Sequence, residues 1–185
     1  QVIRLCDISG QKAFSSVFIQ GPVGVGKTYL ASVIAAMREA IEGNLSVTSD
    51  EQYLDLGSFD EHYRHVITPP GTEDLITSEI FGHLKYAFTG ANEERPAIFE
   101  DENNSPVIRT VFFDEIGRAS LLMQIKLLEV YNSKKYKKVG CKKHKPTDAF
   151  LISASNQDLL GLVKQGTMTP DFLSRILGGV KLVIP

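Results

Sequence analysis

Apolar residues in this chain come in short solid runs separated by longer amphipathic stretches. Val17-Phe18-Ile19, Val111-Phe112-Phe113 and Ala149-Phe150-Leu151-Ile152 are β-branched and aromatic runs of strand length, apolar on both faces. Such runs fit buried strands of a parallel sheet. Residues 180–184 read as a last strand after the Gly178-Gly179 turn. Between the runs the period becomes helical. Leu30, Val33, Ile34, Met37 and Ile41 predict one helix, with Gly43-Asn44 as its stop. Leu75, Ile76, Ile80 and Leu84 predict another, with Thr72 as N-cap and Glu73 and Asp74 in its first turn. Leu121, Leu122, Ile125 and Leu128 predict a third, to about Tyr131. Residues 158–164 and 170–176 read as short helices, the second opened by Pro170. The expectation is one α/β domain over residues 1–185, a parallel sheet flanked by helices.

The remaining segments are more polar. Leu45, Val47 and Tyr53-Leu54-Asp55-Leu56 suggest one or two strands, and Pro69-Pro70-Gly71 is a break. Residues 60–68 read as a solvated loop or helix surface. His62 and His65 lie three apart, but no Cys or third His follows at ligand spacing. Residues 93–95 and 100–104 read as a solvated acidic connection around one helical turn at Ala97, Ile98 and Phe99.

With 185 residues, 43% hydrophobic and 23% charged, the chain can bury a core. Its formal net charge of −2 points to neither nucleic acid nor membrane. Seven lysines crowd into residues 134–145, with Val139-Gly140 among them. A basic hairpin touching nucleic acid is one reading, and a solvated face fits the acidic total better. Cys6 and Cys141 are far apart without a C-x-x-C partner, as idle thiols of a reducing compartment would be. No apolar run spans a bilayer and no signal peptide opens the chain, so a cytoplasmic location is expected. The start at Gln1 suggests a fragment of a longer protein.

The chemistry begins at Gly21-Pro22-Val23-Gly24-Val25-Gly26-Lys27-Thr28, which fits G-x-x-x-x-G-K-[ST] between a strand and a helix. Its backbone N–H groups and the helix N-terminus can cradle phosphate. Lys27 is placed for the outer phosphates and Thr28 for Mg²⁺, so ATP and Mg²⁺ are the expected ligands. Val2, Ile3, Leu5 and Ile8 are candidates to pack against the nucleotide or the first helix. The strand ending at Asp114-Glu115 adds a second acidic element at the carboxyl edge, where ligands of parallel sheets sit. Asp114 is expected to orient Mg²⁺ and Glu115 to polarise the attacking water. Ser155-Asn156 ends another strand, where a polar side chain can sense the terminal phosphate. Phe88 lies among Ala87, Thr89, Gly90 and Ala91. Composition leaves two readings open there: a contact tip on a loop, or a turn whose Phe returns to the core.

The run Ser78-Glu79-Ile80-Phe81-Gly82-His83 followed by Ala87-Phe88-Thr89-Gly90-Ala91 resembles the AAA+ domain of sigma-54-dependent transcriptional activators. Phe112-Phe113-Asp114-Glu115-Ile116-Gly117, Lys138-Val139-Gly140, Ala154-Ser155-Asn156-Gln157-Asp158-Leu159 and Asp171-Phe172-Leu173-Ser174-Arg175 follow in that family's order. The resemblance runs with gaps over residues 18–185. It implies a P-loop NTPase AAA+ core with a sigma-54-contacting loop insertion, and ATP bound between subunits of a ring, usually a hexamer. Hydrolysis would drive Phe88, Thr89 and Gly90 against sigma-54 RNA polymerase, converting a closed promoter complex to an open one. Asn156 would be the sensor I residue and Arg175 an arginine finger reaching a neighbour's nucleotide. DNA binding would belong to a domain outside this fragment. The family's helical lid would follow Pro185, so weak hydrolysis is expected of the fragment. Tyr86 stands where the family has Gly, and Thr169 stands near the place of a second arginine. These departures favour an alternative, a nucleotide-sensing module that regulates by assembly without remodelling sigma-54.

Overall fold

In the computed structural model, the residues described are 16–41, 62–68, 73–101, 103 and 108–185. The readings for residues 1–15, 42–61 and 69–72, Cys6 and the Thr72 cap among them, lie outside the described residues, as do the side chains of residues 73–75.

Five strands form one parallel sheet: β1 (Ser16–Gln20), β2 (Tyr63–Ile67), β3 (Thr110–Asp114), β6 (Phe150–Ser155) and β7 (Val180–Val183). Their spatial order is β2-β3-β6-β1-β7. A separate antiparallel hairpin pairs β4 (Lys135–Tyr136) with β5 (Lys145–Pro146). The helices are α1 (Lys27–Ile41), α2 (Glu73–Phe81), α3 (Leu121–Ser133), α4 (Leu159–Lys164) and α5 (Pro170–Leu177).

Alternation along the strands splits the core between two faces of the sheet. Val17, Ile19, Phe112, Ile152 and Ala154 turn to one face and meet Ala31, Ile34, Ala35 and Ala36 of α1. Phe18, Val111, Phe113 and Leu151 turn to the other and meet Ile76, Ile80, Met123, Leu127 and Phe172. Both faces are covered, which is why the central strands carry apolar residues throughout.

Several helical faces differ from the stripes that periodicity predicts. In α1 the buried set is Ala31, Ile34, Ala35, Ala36 and Glu39, while Met37 and Ile41 are exposed. Three alanines let the helix lie close to the sheet, and the larger apolar residues are left at the rim. In α3 Met123, Gln124, Leu127 and Val130 are buried, whereas Leu121 and Ile125 are exposed. Gln124 is tolerated there because all its polar capacity is used. Its amide donates to Ala119 O at 2.9 Å and Thr167 O at 2.8 Å and accepts from Thr169 N at 2.9 Å. Leu84 falls beyond α2, which ends at Phe81.

Two segments read as solvated are structural. Within residues 60–68 lies β2, paired with β3 from Tyr63 opposite Thr110 to Ile67 opposite Asp114. Among the described residues it is the outermost strand, and no position of it is fully buried: Tyr63, Arg64 and Val66 are half-buried, His65 and Ile67 exposed. Glu100 is buried in the core rather than solvated. Its carboxylate accepts from Ala97 N at 2.8 Å, Tyr136 Oη at 2.7 Å, Lys138 Nζ at 2.9 Å and Lys145 Nζ. Lys138 is equally buried and also pairs with Glu94 at 2.8 Å. The lysine-rich stretch is therefore only partly a solvated face.

Candidate functional site

Residues 21–28 leave β1 and enter α1 at the carboxyl edge of the sheet. Gly21 N donates to Ser155 O at 3.3 Å, which ties the loop to the end of β6. Gly24 and Gly26 hold φ of +82° and +87°, and both lie open to solvent. A side chain there would be strained, so the glycines keep the loop's backbone accessible. Lys27 Nζ folds onto its own loop, donating to Gly21 O at 2.9 Å and Pro22 O at 2.7 Å. Among the described residues no carboxylate neutralises it. An ammonium at an open glycine loop beside a helix N-terminus fits a polyphosphate.

The strand-end acids stand beside this loop. Asp114 Oδ2 accepts from Thr28 Oγ1 at 3.2 Å, and Asp114 Oδ1 accepts from Glu115 N at 2.9 Å. The Thr28 and Asp114 oxygens thus sit together across 86 positions of sequence, as two donors to one hard cation would. His65 of β2 brings Nε2 to 3.7 Å from Asp114 Oδ2 while its ring stacks on Phe112. Burial, then the Asp114 charge, pushes the nearby Tyr63 hydroxyl up to about 12.

Glu115 follows in the left-handed region, φ +53°, uncommon for a residue with a side chain. Its carboxylate meets Arg118 across the 3₁₀ turn Ile116–Arg118 at 2.9 Å. Within this turn, a Cβ on Gly117 would come 2.3 Å from Gln157 Oε1 and 3.1 Å from Ser155 Oγ. A larger residue there would have to displace the Gln157 side chain from the end of β6. Asn156, one residue past β6, is exposed on that same edge.

Arg175 is not part of this cluster. It lies in the last turn of α5, just before the start of β7, and lines a cleft with Asp171, Ser174, Leu128 and Asn132. It makes no ion pair among the described residues. Thr169 caps α5, its Oγ1 accepting from Phe172 N at 3.3 Å.

Phe88, Thr89 and Gly90 are exposed at the tip of a short loop after α2. The loop closes through Tyr86 N to Ala91 O at 2.7 Å and Ala91 N to Phe88 O at 3.0 Å. Of the two readings left open, the exposed tip holds: Phe88 is 39% exposed and lies edge-on to His83, ring centres 5.0 Å apart. Tyr86 carries φ +64°, so the backbone keeps the conformation a glycine would take freely. Sequence reasoning missed the support beneath this loop. Val139 N donates to Gly82 O at 2.9 Å, Leu84 N donates to Val139 O at 3.0 Å, and the Glu100 cluster anchors the hairpin below.

A family model described as the sigma-54 interaction domain matches residues 2–181. The chain belongs to this family. It is 38% identical over 113 residues to the regulatory protein AtoC of Escherichia coli, covering 61% of this chain and 23% of that protein. It is 34% identical over 161 residues to the anaerobic nitric oxide reductase transcription regulator NorR of Aliivibrio fischeri, covering 87% of this chain and 27% of that one. This sigma-54 interaction domain therefore spans about a quarter of the length of these relatives. Among solved structures it resembles NtrX of Brucella abortus with TM-score 0.65 at 22% identity, over 92% of this chain and 33% of that one. That likeness shows the fold, a parallel sheet between helices, and with the family match it is that of an AAA+ core. No helix among the described residues of the sigma-54 interaction domain is long and apolar enough to cross a membrane. Nor do His, Cys, Asp and Glu gather there into a metal cluster of three.

Proposed function

We propose that this domain binds ATP with Mg²⁺, hydrolyses it, and uses the cycle to press the Phe88-Thr89-Gly90 loop against sigma-54 RNA polymerase. The observation that carries the reading is the approach of Thr28 Oγ1 to Asp114 Oδ2 at 3.2 Å, beside an ammonium held by loop carbonyls. The family match supports the partner, and a structural neighbour of the same fold is an NtrX complex with ATP.

Residues 23–26 would turn their backbone N–H groups to the phosphates, and Lys27 would exchange its two carbonyls for phosphate oxygens. Thr28 and Asp114 would hold Mg²⁺, which would supply charge neutralisation of the phosphates. Glu115 would take the proton of the attacking water once its carboxylate leaves Arg118. Asn156, on the same edge, would report the state of the terminal phosphate. Arg175, outside this chain's own cluster and without an ion pair among the described residues, would complete a neighbouring copy's site. Such a contribution is worth about 10³–10⁵ in rate where measured in other phosphoryl-transfer proteins. A ring of copies, a hexamer in the family's usual form, follows from that arrangement, with promoter DNA held by another part of the protein.

The test is to substitute Phe88→Ala and Thr89→Ala in the full-length protein and measure ATP turnover and sigma-54 binding in parallel. ATP turnover within about twofold, with sigma-54 binding reduced at least tenfold (roughly 1.4 kcal/mol), is expected. Normal sigma-54 binding by both variants would sink the assignment of the loop.

A further inference from the structure

Beneath the contact loop lies a half-open cavity of about 520 Å³, bounded by α2, α3, the loop and the hairpin segment before β5. Its lining has an unusual charge balance. Lys126, Lys137 and Lys138 all face it, and among the described residues no carboxylate does. Lys138 is neutralised from behind by Glu94 and Glu100. Lys126 and Lys137 have no such partner among the described residues. Lys126 Nζ rests over the Phe81 ring, 5.2 Å from its centre. The nearest acid on its own helix, Glu129, has its Oε1 2.6 Å from His144 Nε2. Burial holds the Lys126 ammonium below its ordinary value; the Glu129 charge opposes this, and the Lys137 charge adds to it. Two half-buried cations that repel each other are a cost unless an anion comes between them.

A second observation is independent of these charges. Thr77 of α2 lines the same cavity, is 4% exposed, and its Oγ1 has no hydrogen-bond partner among the described residues. A buried hydroxyl left unpaired beside cationic side chains calls for an acceptor. Leu122 and Phe88 supply apolar wall beside it. We propose that this cavity is a binding site for a small organic anion, a phosphate or carboxylate carried on an apolar body. The anion would sit between Lys126 and Lys137 and accept from Thr77 Oγ1, with the apolar part against Leu122 and Phe88. The volume falls within the range of small-molecule sites, and a few polar groups on a mostly apolar lining is their usual chemistry. Because Phe88 forms part of the wall, an occupant would bias the loop tip, which makes the site a means of control over whatever the tip touches. The assignment does not depend on the identity of that partner.

The probes are phenyl phosphate, which joins an anion to a ring, and inorganic phosphate. Each is titrated calorimetrically into the full-length protein with saturating MgADP, so that residues 21–28 are already filled. One saturable site for phenyl phosphate is expected, tighter than inorganic phosphate at least threefold. K126Q and K137Q together should weaken it at least tenfold, T77V about threefold, and K126R should retain it. If K126Q disturbs folding, K137Q alone, at a half-exposed position, still lowers affinity several-fold. No saturable binding at about 10 mM phenyl phosphate, or binding unchanged by K137Q and T77V, overturns the proposal. If phenyl phosphate does not bind but the lysine variants lose sigma-54 affinity, the cavity belongs to an acidic side chain of the partner, and the small-ligand assignment is wrong.

Discussion

The phosphate edge and the base of the contact loop both depend on acid–base pairs, but the pairs are of opposite kinds. At the phosphate edge the charges are within reach of solvent and hold provisional partners. Lys27 rests on loop carbonyls, Thr28 on Asp114, and Glu115 on Arg118, whose side chain is 55% exposed. Below the loop, Glu100 and Lys138 are at most 1% exposed in their side chains and every contact is reciprocated. Solvent-exposed pairs are worth little and can be exchanged at small cost. A buried pair cannot lose one member without leaving the other charge stranded. Under the proposed function, one region would change partners during a cycle, and the other would stay fixed while the loop above it moves.

The first way to break this comparison is Glu115→Gln. If the phosphate edge is a place of exchangeable charges doing chemistry, turnover of ATP should fall by about 10²–10⁴ while stability changes by less than about 0.5 kcal/mol. Nucleotide affinity, read by fluorescent ATP analogue titration, should persist. Turnover that survives this substitution would remove Glu115 from the chemistry. Complete loss of turnover would exclude the reading of a nucleotide sensor that never hydrolyses.

Glu100→Ala addresses the other region and should cost about 3–5 kcal/mol in chemical unfolding, the loss typical of a broken buried pair. Here the effect falls on stability, with MgATP binding retained in the folded fraction. The pH dependence adds a check with a definite sign. Burial alone would raise the Glu100 pKa, but donors from Lys145, Lys138, Ala97 and Tyr136 together hold it below the ordinary 4.5. Its contribution is therefore complete above pH 4.5 and disappears as the pH falls through the lowered value. For Lys138 burial works downward, but Glu94 and Glu100 outweigh it and raise the pKa above 10.5. That contribution is complete below pH 10.5 and fades as the pH rises past the raised value. Wild type should lose stability at both ends, and Glu100→Gln should flatten the acid limb. An unchanged acid limb would show that the carboxylate is not what holds the hairpin.

The same contrast explains what could be read from the sequence. The phosphate loop is eight consecutive residues between a strand and a helix, so its chemistry is local and its pattern visible. The central strands are visible because burial on both faces makes them apolar throughout. Glu100 was hidden because it stands in an acidic run and its partners Tyr136 and Lys145 lie 36 and 45 positions away. Two signals pointed inward: Phe99 directly before it, and Lys138 between Tyr136 and Val139, residues apt for a core. The strand β2 was missed because Arg64 and His65 interrupt its apolar residues and none of its five positions is fully buried. The stripe on α1 was misplaced because the sheet accepts alanines at close approach, a contact that periodicity of large side chains does not register.

The smallest expected effect lies at Tyr86, in the loop above the hairpin. This residue holds φ +64° on a loop otherwise supported by the hairpin, with its ring exposed under Lys85 Nζ at 5.0 Å. The left-handed conformation costs a residue with a Cβ about 1–2 kcal/mol. Glycine removes that cost but adds about 0.5–1 kcal/mol of chain entropy in the unfolded state. Tyr86→Gly should therefore stabilise the domain by about 0.5–1 kcal/mol in thermal or chemical unfolding. Tyr86→Ala serves as the control, since it removes the ring and the Lys85 contact but keeps the Cβ. If the strain is in the backbone, alanine gives no gain and glycine does. Equal gains from both would locate the cost in the exposed ring instead, and the loop backbone would then be as relaxed as the hairpin beneath it.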